Sequence, residues 1–356
     1  MRDESGSQRR QRAFAARCAI AAGAWAGFAV LPRNADAFCR TTTCGLPSTF
    51  SPEDGDCTPD GFAAYCAGLN PPAKVLPLYW SNHCVSYDLH ADAQGQVSDQ
   101  VSYAVASQIA ADAFAKWTET QCPTTTGEGR VSIDAIDLGP VSCDEVNYNE
   151  DQGNQHVIIF EDQGFGDGAD SSTESGAISA STLGLTTVTF DTETGELYDA
   201  DMQINSQQPL ATGDPVPAEG YDLQSIVTHE AGHFLGLAHT WDSSATMYWE
   251  YTPGSSSKRI LSDDDVQGIC AIYPPDGTRA VDPSVSASGY VPGAACNPTP
   301  RHGFQSACTS PQNHGCDVAG EAAAPGSGPL AAIAGLVLGP LVARRKRGRT
   351  RGPRRA

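Results

Sequence analysis

One eleven-residue stretch constrains this chain more than any other: His229-Glu230-Ala231-Gly232-His233-Phe234-Leu235-Gly236-Leu237-Ala238-His239. Asp222 can cap a helix ahead of it, and Leu223, Ile226 and Val227 give that helix a buried side. His229 and His233 then stand one turn apart on a single face, a spacing at which two imidazoles can share one Zn2+ without distorting the backbone. Glu230 leans over the same region without displacing a ligand, where it can take a proton from an activated water. Catalytic zinc keeps three protein ligands and one open position, so a third ligand is required. His239 cannot supply it from the same straight helix, because ten residues after His229 it would lie about 15 Å further along the axis. Gly236 resolves this: it accepts the positive φ that ends a helix and lets the chain turn back to present His239. At this chain's own residue frequencies the full pattern arises by chance on the order of 10⁻⁵, against about 10⁻² for its first five residues alone.

Charge narrows the partners. The formal charge is −20, but residues 38–316 hold 8 basic against 37 acidic side chains. Such a body repels phosphates, which argues against a nucleic-acid enzyme. Both ends are cationic and read as addresses. Residues 1–37 have a basic stretch (Arg9, Arg10, Arg12, Arg17), an apolar run from Cys18 to Leu31 and small residues at Ala35-Asp36-Ala37. That is the layout of a secretory signal peptide, with the mature chain starting at Phe38. Near the other end, Gly328–Ala343 is apolar but interrupted by Pro340, and Arg344-Arg345-Lys346-Arg347 follow at once. Sixteen residues is about a turn short of a comfortable span. Cys316, the spacer, the apolar run and the Arg-rich end together resemble the C-terminal sorting tail of myxobacterial surface proteins. That likeness implies anchoring through Cys316, membrane association, a sorting or processing peptidase as partner, and an exported protein at the cell surface or outer membrane.

Twelve cysteines are present, and ten lie between the two end segments. An even number in an exported chain points to disulfides, with Cys296–Cys308 a candidate local closure. The organisation expected is an arm at 38–74, a body at 75–275, a Pro/Gly/Ser-rich stalk at 276–316 and a tail at 317–356. Within the body, Val101, Val105, Ile109, Ala113 and Trp117 recur every four residues, predicting an amphipathic helix over 98–121 capped by Ser98. Strands are expected at Val131–Ala135, Val157–Phe160, Leu185–Phe190 and Ala200–Ile204, with helices at 222–235 and 262–272. The loop 161–181 is rich in Gly, Asp and Ser, and Asp167 and Asp170 make it a candidate for calcium.

With Ser244-Ala245-Thr246-Met247-Tyr248 eight residues beyond the last histidine, the extended motif resembles the metzincin metallopeptidases, and the Met-Tyr pair the matrixin branch. The closing stretch from Arg259 through Asp263-Asp264-Asp265 to Tyr273-Pro274 fits as well. The resemblance implies an α+β catalytic domain with a twisted mixed sheet, a long backing helix and an active-site helix. It also implies zinc on His229, His233 and His239, Glu230 as general base, and Met247 as a floor beneath the imidazoles. By the same likeness the edge strand around Ala200–Asn205 would pair with an extended substrate, and Tyr248, Trp249 and Tyr251 would wall the pocket beside the scissile bond. Trp249 stands where some metzincins place a tyrosine ligand, so no fifth ligand is expected. His83, His90, His156, His302 and His314 show no ligand pattern for a second zinc. Cys44-Gly45-Leu46-Pro47 is similar to the matrixin cysteine switch, although a disulfide at Cys44 is the simpler expectation. The function expected is a secreted, surface-anchored zinc endopeptidase; the alternative is a non-catalytic zinc-containing adhesion protein.

Overall fold

The computed structural model describes residues 38–43, 75–92, 95–163, 181–282, 289–308 and 330–334. The expected signal segment, most of the arm with Cys44, the calcium candidates Asp167 and Asp170, Cys316 and all of the tail except 330–334 lie outside these residues.

A mixed sheet organises the body. Its strands are β1 (Cys84–His90), β2 (Asp134–Val141), β3 (Val157–Glu161), β4 (Gly184–Asp191) and β5 (Leu197–Asn205), in spatial order β4-β5-β3-β1-β2. The last four run parallel and β4 is antiparallel to β5; Leu330–Ala334 lies antiparallel along Thr187–Asp191 of β4. Alternation sorts the side chains. Val85, Tyr87 and Leu89 of β1 and Ala200, Met202 and Ile204 of β5 enter the main core. Val157 and Ile159 of β3 join a small second cluster with Val141 on the opposite face.

Helix α1 (Tyr103–Thr118) backs the main core through Ala106, Ile109, Ala110, Ala113, Phe114 and Trp117. It begins later than expected, because the Ser98 hydroxyl accepts the N–H groups of Gln100 and Val101 and closes a turn there. Val105 is 40% exposed. A strict four-residue series advances about 400° per repeat and so drifts around the helix, which carries Val105 off the buried face. The first expected strand is also displaced: Val131 and Ile133 are buried, but pairing begins at Asp134. Helix α2 (Leu223–Phe234) packs across α1, where Trp117 Nε1 donates to the Thr228 carbonyl at 2.8 Å. Helix α3 (Asp263–Ile272) closes the body behind a full capping box between Ser262 and Asp265.

Two sequence expectations are corrected. The strand Ala200–Asn205 is not an edge: β5 is hydrogen-bonded to β4 on one side and β3 on the other, so its backbone has nothing to offer a substrate. Alternation reveals which face a residue takes but says nothing of a strand's neighbours. Nor do Cys296 and Cys308 pair together. Among the described residues, disulfides join Cys84 to Cys296, Cys122 to Cys270 and Cys143 to Cys308. The stretch expected as a stalk is therefore held on the body over 289–308. Tyr290–Pro292 pairs with Thr278–Ala280, and the Asn154 side chain donates to the Arg301 carbonyl at 2.8 Å. Among the described residues no helix is long and apolar enough to cross a membrane.

Candidate active site

The site is assembled from three directions, beginning with α2. Asp222 accepts the Ser225 N–H at 2.9 Å, as a cap should, and Arg259 clamps its carboxylate, with Nε at 2.7 Å. The helix places His229 and His233 one turn apart and ends at Gly236, whose φ is +98°. A side chain there would also meet the Leu78 carbonyl oxygen at 2.9 Å, so both conformation and space require glycine. Leu237–Ala238 then pairs antiparallel with Cys39–Arg40, and this pairing delivers His239. The Nε2 atoms of His229 and His233 lie 3.1 and 3.2 Å from Nε2 of His239.

Backbone carbonyls set the tautomers. His229 Nδ1 donates to Thr246 O at 2.6 Å and His233 Nδ1 to Leu237 O at 2.9 Å, which leaves each Nε2 as a bare lone pair. Burial keeps the rings neutral: the pKa of His233 falls to about 4, and those of His229 and His239 move well below the usual range. Lone pairs converging at this separation repel unless a cation lies among them. Tetrahedral Zn–N bonds of about 2.05 Å would hold the nitrogens about 3.3 Å apart, so the residues fit zinc.

Glu230 is 2% exposed, and its carboxyl is pushed up to about 7 by burial, against the opposing pull of a hydrogen bond from Thr186 and the charge of Lys258. Thr186 Oγ1 donates to Oε2 at 2.8 Å. Thr186 belongs to β4, as does Gly184, where a Cβ would stand 2.6 Å from Glu230 Oε1. Met247 is buried against Gly232 of α2, where a side chain in place of the glycine would run into its sulfur. Its loop is tied to α3: the Asp265 carboxylate accepts the N–H groups of Thr246 at 2.7 Å and Met247 at 3.0 Å.

The family model of the matrixins matches residues 79–274, more than half of the chain. The chain belongs to the matrixin family. Human matrix metalloproteinase-16 is 33% identical over 144 residues, which cover 38% of this chain and 22% of that protein. Bovine interstitial collagenase is 46% identical over 67 residues, covering 18% and 14% of the two chains. Matrix metalloproteinase-27 of Tupaia belangeri is 39% identical over 79 residues, covering 22% and 15%. The aligned part of this matrixin thus spans less than a quarter of the length of these relatives.

Beside the matrixin triad lies a cavity of about 250 Å³ lined by Ser225, Tyr248, Tyr251 and Lys258 among others. Tyr251 joins it to the metal ligands, its ring 5.5 Å from that of His229. Trp249, expected in the same wall, instead lies tilted against Tyr248, ring centres 4.2 Å apart, and meets Trp241 edge-on. Sequence reasoning missed Gly184 and Thr186, which act on Glu230 from more than forty residues away, and Lys258, whose burial against Tyr248 and Tyr251 follows no helix or strand period. Asp265 was visible within Asp263-Asp264-Asp265, but nothing local shows that it holds the methionine loop.

Proposed function

We propose that this matrixin is an endopeptidase with one catalytic zinc held by His229, His233 and His239. The observation carrying this reading is the convergence of three Nε2 lone pairs beside the buried carboxyl of Glu230. When bound, zinc supplies Lewis acidity, polarising the scissile carbonyl and lowering the pKa of water towards about 7. Glu230 takes the proton of the attacking water and returns it to the departing amine. A carboxyl balanced near neutrality suits both transfers. Thr186 holds Oε2, so that the carboxyl cannot swing away while Oε1 exchanges the proton. Among the described residues the outer edge of Gly184–Thr186 carries no partner strand, and there an extended peptide can add to the sheet. The proposal also includes export by cleavage before Phe38 and anchoring through Cys316. The three long-range disulfides support an oxidising compartment.

The test is cleavage of an unfolded protein by the mature chain, with chelator and zinc add-back, beside Glu230→Ala. The parent should cleave only with zinc, and the variant should bind one zinc yet lose activity by about 10³-fold or more. Zinc bound with no cleavage by either would instead point to a latent form or to the binding-protein alternative. Intact mass of the native protein checks the two ends.

A further inference from the structure

Lys258 is 8% exposed and lines the cavity beside His229. Its neighbour Arg259 is neutralised by Asp222, but among the described residues no carboxylate oxygen lies within 4 Å of the Lys258 ammonium. Two of its three N–H groups go to the carbonyls of Thr246, at 3.0 Å, and Tyr248. The ring of Tyr251 stands 4.7 Å from the ammonium and Tyr251 lines the same cavity, while its hydroxyl is buried without a hydrogen-bond partner. The walls between them carry hydroxyls rather than hydrocarbon, from Ser225, Ser255 and Ser257. A buried cation and a buried donor, each with a hydrogen bond to give, call for one acceptor group with negative charge. The volume is below that of a drug-sized pocket and matches a single side chain.

We propose that Lys258 and Tyr251 make this pocket a receptor for an acidic side chain, so that the enzyme cleaves beside Glu or Asp. This rests on the endopeptidase reading and names its substrate class. Asp265 and Glu230 act on the ammonium only from a distance, so a carboxylate gives it the close charge-assisted hydrogen bond that an amide supplies only weakly and an aliphatic side chain not at all. The one acidic residue on the cavity, Glu250, is exposed at its mouth, where solvent screens it, and it does not reach the buried ammonium.

The experiment compares kcat/KM for peptides that carry Glu, Gln or Leu on either side of the scissile bond. The zinc-loaded parent is set beside Lys258→Met and Tyr251→Phe. The quantity read is the Glu/Gln ratio within each protein, which is independent of a general loss of activity. On one side of the bond the parent should prefer Glu by about tenfold or more. The ratio should fall to about one in Lys258→Met and decrease by several-fold in Tyr251→Phe; the second variant decides the matter if the first does not fold. A parent that cleaves the Leu or Gln peptides as well as the Glu peptide overturns the proposal and leaves the endopeptidase reading standing. So does a Glu preference that both variants keep. Zinc-loaded parent that cleaves no peptide overturns the reading and the proposal together.

Discussion

Glu230 cannot be held by its own helix alone; Gly184 and Thr186, more than forty residues upstream, complete its setting. Gly184→Ala tests this at the scale of single atoms. The new Cβ would sit within 2.9 Å of Glu230 Oε1, Cγ and Cδ, all at the mobile end of that side chain. Displacing the carboxyl gives up the Thr186 hydrogen bond, about 1 kcal/mol, so the melting temperature should fall by only about 2–4 °C. Catalysis should suffer far more, because a displacement of about 1 Å in a catalytic group costs about 100-fold. Equal kcat/KM in Gly184→Ala and the parent would remove this glycine from the site. The four motif positions His229, Glu230, His233 and His239 were legible in the sequence because helix geometry and one positive-φ glycine relate them locally. Thr186 was not, since a threonine in a strand looks the same wherever the strand lies.

Helix α3 contributes through a single carboxylate. Asp265 closes its own capping box and also takes the N–H groups of Thr246 and Met247, while the Thr246 carbonyl orients the His229 ring. In Asp265→Asn one of the two oxygens becomes an NH2 group and faces a donor. The zinc dissociation constant should therefore rise about 10- to 100-fold, measured by competition with a chromophoric chelator. Unchanged affinity would show that the loop holds itself. On the opposite side of the sheet, β1 buries Asp88 with both carboxylate oxygens unpaired, beside His156 and the Asp199–Asp201 pair on β5. Burial, reinforced by Asp137, raises Asp88 to about 7, while the unfolded chain keeps it near 3.8. Folded protein then binds the extra proton between these values. This stability is complete below about pH 4 and is lost as pH rises through 7. Asp88→Asn removes the penalty, so its melting temperature should gain on the parent by several degrees between pH 5 and pH 8. His156 is common to both proteins and cancels. A difference that stays flat with pH would mean that Asp88 ionises as it does in water.

At the scale of the whole fold, the three disulfides whose two ends lie among the described residues join segments 148 to 212 residues apart. Cys122–Cys270 ties α3 to the hairpin Gln121–Thr124/Gly127–Arg130, and it closes a loop of 148 residues. Replacing both cysteines by alanine should lower stability by about 2–5 kcal/mol, seen as a lower urea midpoint with an unchanged slope. A midpoint within error of the parent would leave this cross-link without a stabilising role.

The sequence by itself determined the active-site helix and brought the three histidines and the glutamate of the motif together, and its family resemblance carried the fold class and the expected place of Met247. The motif rests on spacing within eleven residues, where covalent geometry dictates what meets what. Strand order, cysteine pairing and the chemistry of the pocket were decided only in three dimensions. Alternation places Ala200, Met202 and Ile204 on one face yet leaves the strand's neighbours open; among the described residues the open stretch is Gly184–Thr186 of β4, the rest of which pairs with Leu330–Ala334. Cys296 found Cys84 rather than Cys308 because the chain from 289 to 308 packs back on the body. Lys258 reads as an ordinary surface lysine in the sequence. Packing against Tyr248 and Tyr251 takes it out of water, and burial without a carboxylate partner is a property that no single segment encodes.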